Sequence, residues 1–251
     1  MTNKILVTGA TGTIGKAVIK SLKAKQASFV AGVREKETAK DKLDGADLVK
    51  FDFSDASTFE EATTDIDRVF LLGPPLVLNL VELLTPFIDF LKRKKIMKVV
   101  YLSALGLEHV KELPFHSILE KKLSDEGFDF TILKLSFFAQ NFKTYDWENI
   151  TQRNITYAPA GKGKVGFVDV SDVGEVAATV LTSEGHARKT YVLKGPELLS
   201  YFDAANILSD VTGKKIIYPN PGGEEYTGAL KAAGVPDFVA PLYDQCVFFD
   251  R

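Results

Sequence analysis

Cysteine is almost missing from this chain. Cys246 is the only one in 251 residues. A disulfide within the chain and a cysteine-based zinc site are therefore both excluded. Histidine is nearly as scarce: His109, His116 and His186 are scattered, with no HExxH-type spacing. Charge of one sign is lacking too. The formal net charge is −2, so no basic excess draws the chain to nucleic acid. No hydrophobic run is long enough to span a membrane, because Glu82, Pro86 and Asp89 interrupt "NLVELLTPFIDFLKRKK". The N-terminus enters a strand-like run at once, which leaves no room for a signal peptide. The expected compartment is the cytoplasm, with no membrane or nucleic-acid partner. The oligomeric state is left open.

What is present is 45% apolar residues, enough for a sizeable core. They come in a repeating order. "KILVTG", "SFVAGVR", "ADLVKFD", "DRVFLLG", "MKVVYLSA" and "FDFTILKL" read as buried strands, each separated from the next by helical or turn segments. "IGKAVIKSLKAK" places Ile14, Ala17, Val18, Ser21 and Leu22 on one helix face. Continuous apolar strands alternating with helices predict βαβ units and a parallel sheet covered on both faces. The fold class expected is α/β, a Rossmann-type doubly wound parallel sheet. Past residue 140 the pattern loosens into "AQNFKTYDWENITQRN", then a glycine-rich "APAGKGKVG". "VDVSDVGEVAATVL" opens a helix with the spacing of a capping box, Asp172 to Glu175. "KTYVLKG" reads as one more strand. The expected organisation is a nucleotide-binding domain over residues 1–140, rejoined by a helix and strand at about 165–195. Residues 141–164 and 196–251 then form a small C-terminal substrate lobe beside the sheet's carboxyl edge.

The most informative stretch is "VTGATGTIG", between the first strand and the first helix. Gly9, Gly12 and Gly15 suit a tight turn, a close backbone approach to a pyrophosphate, and helix-on-strand packing, in that order. The alternative is a turn with a structural role only. The second strand ends in Arg34, where an acid would bind a ribose 2′-hydroxyl. A guanidinium suits a 2′-phosphate, which favours NADP(H); the alternative is a solvated surface arginine. Asp52 and Phe53 end the third apolar run and can meet an adenine, or Asp52 can serve a turn.

Taken together, "ILVTGATGTIG", "GVR", "FDFSD", "KVVYLSALG", "FTILKLSFFAQN" and "FVDVSDVGEVAATVL" resemble the NmrA-like branch of the atypical short-chain dehydrogenase/reductases. The blocks run in family order from residue 5 to about 182. The family's Arg-Pro and Met-Glu-Asn wording after the sixth strand is altered at Lys134, Leu135 and Gln140, while Phe137, Phe138 and Asn141 fit it. The resemblance implies that Gly9, Thr11, Gly12, Thr13, Ile14, Gly15 and Arg34 bind NADP(H), with Gly73 and Pro74 near the ribose and nicotinamide. It assigns Ser103, Ala104, Ser136, Phe137 and Phe138 to the nicotinamide wall. Phe138, Asn141, Phe142, Tyr145 and Trp147 would face the substrate, or else pack as core aromatics.

Ordinary short-chain dehydrogenases carry Tyr-x-x-x-Lys on the helix that here reads "FHSILEKKL". His116 and Glu120 fall at those two positions. Glutamate raises rather than lowers a neighbouring acid's pKa, so the alcohol/ketone route is closed in this segment. Pro114 places His116 in the first turn, where the helix dipole favours a neutral imidazole. A His–Glu pair alone is too few ligands for a metal. The expected function is an NADPH-dependent reductase passing hydride to an electron-poor small molecule such as a quinone, with His116 orienting the acceptor; the alternative for His116 is a structural His–Glu pair on the helix face. The alternative is a non-catalytic NADP(H)-sensing regulator; an isomerase or epimerase fits less well without the Tyr–Lys pair.

Overall fold

The computed structural model describes residues 4–75, 77–106 and 115–234. His109, Pro114 and Cys246 lie outside them. The chain divides into two compact units, Met1–Leu135 with Val170–Leu193, and Ser136–Asp169 with Lys194–Arg251.

The first unit begins β1 (Lys4–Val7), α1 (Thr13–Ala24), β2 (Phe29–Val33), α2 (Lys36–Leu43) and β3 (Leu48–Lys50). It continues with α3 (Phe59–Ala62), β4 (Ile66–Leu71), α4 (Leu80–Arg93), β5 (Lys98–Ala104), α5 (Phe115–Asp125) and β6 (Asp129–Leu135). The chain then supplies α6 (Asn141–Thr144) and β7 (Lys164–Val165) to the second unit. It returns to the first with α7 (Val170–Thr182) and β8 (Lys189–Leu193). The seven strands form one parallel sheet in the order β3-β2-β1-β4-β5-β6-β8. All seven apolar runs of the sequence are in it. The order reverses between β1 and β4, and open α/β sheets bind ligands outside the strand ends at such a point.

The central strands are mostly apolar because both their faces are covered: Leu6, Val7, Val69, Phe70 and Leu71 have no exposed surface, whereas the edge strand β8 is half-buried at best. On one face a continuous cluster joins Phe51, Phe59, Leu84, Phe87, Leu91, Tyr101, Leu119 and Phe128. Helix α4 contributes Leu80, Leu84, Phe87, Ile88 and Leu91 at helical spacing and holds Pro86 on its exposed side. Helix α1 buries Gly15, Val18, Ile19 and Leu22. That stripe is rotated from the expected one, and Ala17 meets α7 instead. A side chain on Gly174 would stand 2.6 Å from the Ala17 carbonyl. Gly174→Val is therefore expected to lower stability by about 2–3 kcal/mol through overpacking, read as a fall in urea midpoint at unchanged slope.

Two local readings are corrected. Helix α7 starts at Val170, so Asp172 lies inside its first turn and is no N-cap. Glu175 pairs with Lys25, the C-cap of α1, at 2.5 Å instead of closing a capping box. Strand β3 stops at Lys50, so Asp52 and Phe53 lie beyond it in a turn.

The second unit continues with β9 (Leu199–Ser200), α8 (Tyr201–Thr212) and α9 (Gly223–Ala232). Strands β7 and β9 pair antiparallel. Its core gathers Ile150, Val165, Tyr201, Ala205, Ile216 and Tyr218, with Phe137, Phe142 and Phe167 against them. The capping box actually built is here: the Ser200 hydroxyl accepts from the Asp203 N–H, and the Asp203 carboxylate accepts from the Ser200 N–H.

Candidate functional site

The turn after β1 is held by Thr8, whose hydroxyl donates to carbonyls of Phe70 and Leu72 and accepts from the Leu72 N–H. This ties the carboxyl ends of β1 and β4 together. Gly9 then takes φ +62°, a left-handed conformation that glycine adopts without strain. The Gly12 N–H donates to the Gly9 carbonyl at 3.0 Å. A side chain on Gly15 would come within 2.2 Å of that same oxygen. Gly9 and Gly15 are thus required by the chain's own packing. Gly12 is not: its φ is −76°, and a Cβ there would meet only the Gly9 oxygen, at 3.3 Å. Thr11, Gly12 and Thr13 are exposed and Ile14 is half-buried. Gly12 is the N-cap of α1, with no side chain accepting from the helix. The start of α1 consequently has no side-chain cap from its N-cap residue, which is the composition of an anion cradle.

The other expected cofactor residues of the first unit end or follow its strands. Arg34 is exposed just past β2. Asp52 accepts from the Ser54 hydroxyl at 2.7 Å and the Ser54 N–H at 2.9 Å. Those bonds hold its carboxyl below the usual range, and the Arg34 and Lys50 charges add to the effect. Phe53 sets its ring edge-on to Phe51 and Phe87. Gly73 follows β4 where a Cβ would stand 2.7 Å from Leu80 of α4, and Pro74 beside it is half-buried. Ser103 and Ala104 end β5.

Helix α5 places His116 and Glu120 on one face, but they do not bond to each other. His116 Nδ1 lies 2.6 Å from the Tyr101 hydroxyl. Glu120 Oε1 accepts from Ser103 Oγ at 2.5 Å, and Glu120 Oε2 stands 3.2 Å from the Lys134 ammonium. Tyr101 and Ser103 alternate on β5, and Lys134 is the register partner of Ser103 on β6, so all three project to the face α5 covers. Burial, and then the Lys134 charge, bring the His116 imidazole down to about 4. It is neutral, as expected, though burial rather than a first-turn dipole is the leading cause. The unfolded imidazole titrates near about 6.5. Between 4 and 6.5 the unfolded chain therefore binds more protons, and stability falls as pH drops through that window. His116→Gln is expected to flatten this part of the urea-midpoint profile relative to the parent.

The remaining expected residues belong to the second unit. Ser136 follows β6, and Phe138 bridges to Val168. A cavity of about 410 Å³ lies wholly within this unit. Asn141, Phe142 and Tyr145 line it, as does Phe137, which the sequence assigned to the nicotinamide. Phe138 and Trp147 are not among its lining residues, and Trp147 is 52% exposed. The sequence missed Tyr157, Tyr201 and Tyr226, which complete the aromatic wall. It also missed Asp146, buried beneath the wall and bonded by Thr156, Asn149 and the Tyr157 N–H. Burial raises the Asp146 carboxyl against those bonds. No short-range pattern joins residues 146, 157, 201 and 226, so only the fold assembles them.

Among the described residues no cluster of three or more histidine, cysteine or acidic side chains suits a metal. No described helix is long and apolar enough to cross a membrane.

A parallel sheet whose order reverses between β1 and β4, with a glycine turn at that point, defines a Rossmann-type α/β protein. The sequence matches the NmrA-like family over residues 1–227, and the chain belongs to that family. It is 31% identical to agroclavine dehydrogenase of Claviceps fusiformis, over 95% of this chain and 84% of that protein. The triphenylmethane reductase of Citrobacter sp., solved with NADP(H), superposes with a TM-score of 0.84 at 27% identity, covering 97% of this chain and 89% of that one. The NADPH-dependent quinone oxidoreductase of Escherichia coli, solved with NADPH, gives 0.85 at 26% identity, covering 95% and 86%. The family thus includes NADPH-binding reductases of quinones and dyes.

Proposed function

We propose that this protein is an NADPH-dependent reductase that passes hydride to an electron-poor, flat small molecule such as a quinone. The observation that carries the reading is the bare start of α1 at Gly12, a glycine for which the chain's own packing has little use. The pyrophosphate would lie against Thr11, Gly12, Thr13 and Ile14, with Gly9 and Gly15 shaping the turn. Arg34 would take the 2′-phosphate, with Asp52 and Phe53 toward the adenine. Gly73, Pro74, Ser103 and Ala104 would line the site farther along the strand ends. When bound, NADPH supplies the hydride. The protein binds and orients the reactants and excludes water.

The aromatic cavity of the second unit supports a flat acceptor, because planar apolar walls bury a planar apolar ligand with little polar mismatch. His116 is the candidate catalytic residue. It stands in the segment where ordinary short-chain dehydrogenases carry their tyrosine, and it would orient an acceptor oxygen. Reduction of a quinone needs no strong acid, since water can protonate the product.

The test is direct. Protein, NADPH and a panel of quinones and dyes are mixed, and nicotinamide absorbance is followed. Loss of absorbance with at least one acceptor is the expected result. Tight NADP(H) binding with no turnover on any of them would favour a regulatory sensor instead.

A further inference from the structure

We propose that Tyr101 is a positioning residue: its phenol donates to His116 Nδ1 and holds the imidazole as the Nε2–H tautomer, a hydrogen-bond donor and not a base. The role of the donor rests on the reductase reading above; the tautomer does not.

Tyr101 has no exposed surface, so it reaches neither solvent nor a ligand. Its hydroxyl is 2.6 Å from His116 Nδ1, a short contact for a neutral pair. Two arrangements satisfy that distance. In one the phenol donates to an unprotonated Nδ1, which leaves the imidazole proton on Nε2. In the other Nδ1–H donates to the phenol oxygen, and the phenol proton needs a second acceptor. Among the described residues the only hydrogen bond of that hydroxyl is to His116. A buried O–H with no acceptor is disfavoured, so the first arrangement is the stable one. Burial, with Glu120 nearby, pushes the phenol well above its ordinary value, so Tyr101 keeps its proton to give. The nearest charges, Glu120 and Lys134, are paired with one another, and neither needs the imidazole as its counter-ion.

The chemical consequence is directional. An imidazole fixed as Nε2–H polarises the oxygen of a carbonyl-type acceptor. It has no vacant nitrogen on that side with which to take a proton from an alcohol. The site thereby suits an acceptor whose reduced oxygen is stable as an anion that exchanges its proton with water, and not an alcohol that would have to give its proton to the imidazole. Tyr101 acts on the substrate only through His116, in the way an outer partner fixes a histidine tautomer elsewhere.

The experiment is long-range proton–nitrogen correlation on uniformly labelled protein at pH 7, with His116 assigned by its disappearance in His116→Gln. The parent is expected to show the Nε2–H form. Tyr101→Phe keeps the ring in the core and removes only the donor. It is expected to give a tautomer mixture and to lower quinone kcat by roughly tenfold, with KM for NADPH unchanged. An Nδ1–H form in the parent would overturn the proposal, and that spectrum needs no variant to fold. A mixture in the parent, or an unchanged tautomer in folded Tyr101→Phe, would overturn it equally. Absence of turnover with every acceptor would remove the reductase reading while leaving the tautomer assignment standing.

Discussion

Gly12→Val is expected to fold and to lose NADPH binding by at least roughly a hundredfold, because a side chain would stand where the pyrophosphate approaches the helix N–H groups. Folding is expected because Gly12 has an ordinary φ and only the Gly9 carbonyl within reach of a new Cβ. The N-cap change itself costs about 1 kcal/mol or less. Gly15→Ala supplies the contrast. Its methyl would overlap the Gly9 oxygen at 2.2 Å, so that variant is expected to lose the fold of the turn before any ligand is added. Calorimetry with NADPH and circular dichroism on both variants separates the two effects. Full NADPH affinity in folded Gly12→Val would sink the dinucleotide reading.

Arg34→Ala is expected to weaken NADPH by about tenfold to a hundredfold, matching the roughly 1.5–3 kcal/mol of a hydrogen bond to a charged group. NADH, which lacks the 2′-phosphate, should bind the variant and the parent alike. Arg34 is exposed, so the melting temperature should barely move. Equal weakening of both cofactors would refute the assignment. The neighbouring Asp52 sharpens the expectation. It feels the Arg34 charge, and removing the guanidinium leaves its carboxylate without that neighbouring cation.

Sequence and tertiary structure divide the determination of this protein along a physical line. What local pattern encodes was readable in advance. The seven apolar runs became the seven parallel strands, since a strand with both faces buried carries a near-continuous apolar run; only the edge strand β8 stayed largely exposed. The glycine turn was readable because Gly9 takes a left-handed φ and Gly15 packs against the Gly9 carbonyl, constraints within seven residues of chain. Element boundaries were less legible. Asp172 and Glu175 have capping-box spacing, but α7 starts at Val170 and Glu175 goes to Lys25. A partner at the end of another helix decided that.

The interior of the site was least legible of all. His116 and Glu120 stood out as a pair because they share a helix face. Their partners are Tyr101, Ser103 and Lys134, brought there by the register of β5 with β6 under α5. Tyr101 reads as one more apolar residue in "KVVYLSA", and Lys134 as a variant of a family arginine. The sequence alone determined the strands, the glycine turn and the family. Which polar side chains face one another across the sheet, and which aromatics close the cavity of the second unit, depended on contacts between residues far apart in the chain, and only the tertiary structure decided them.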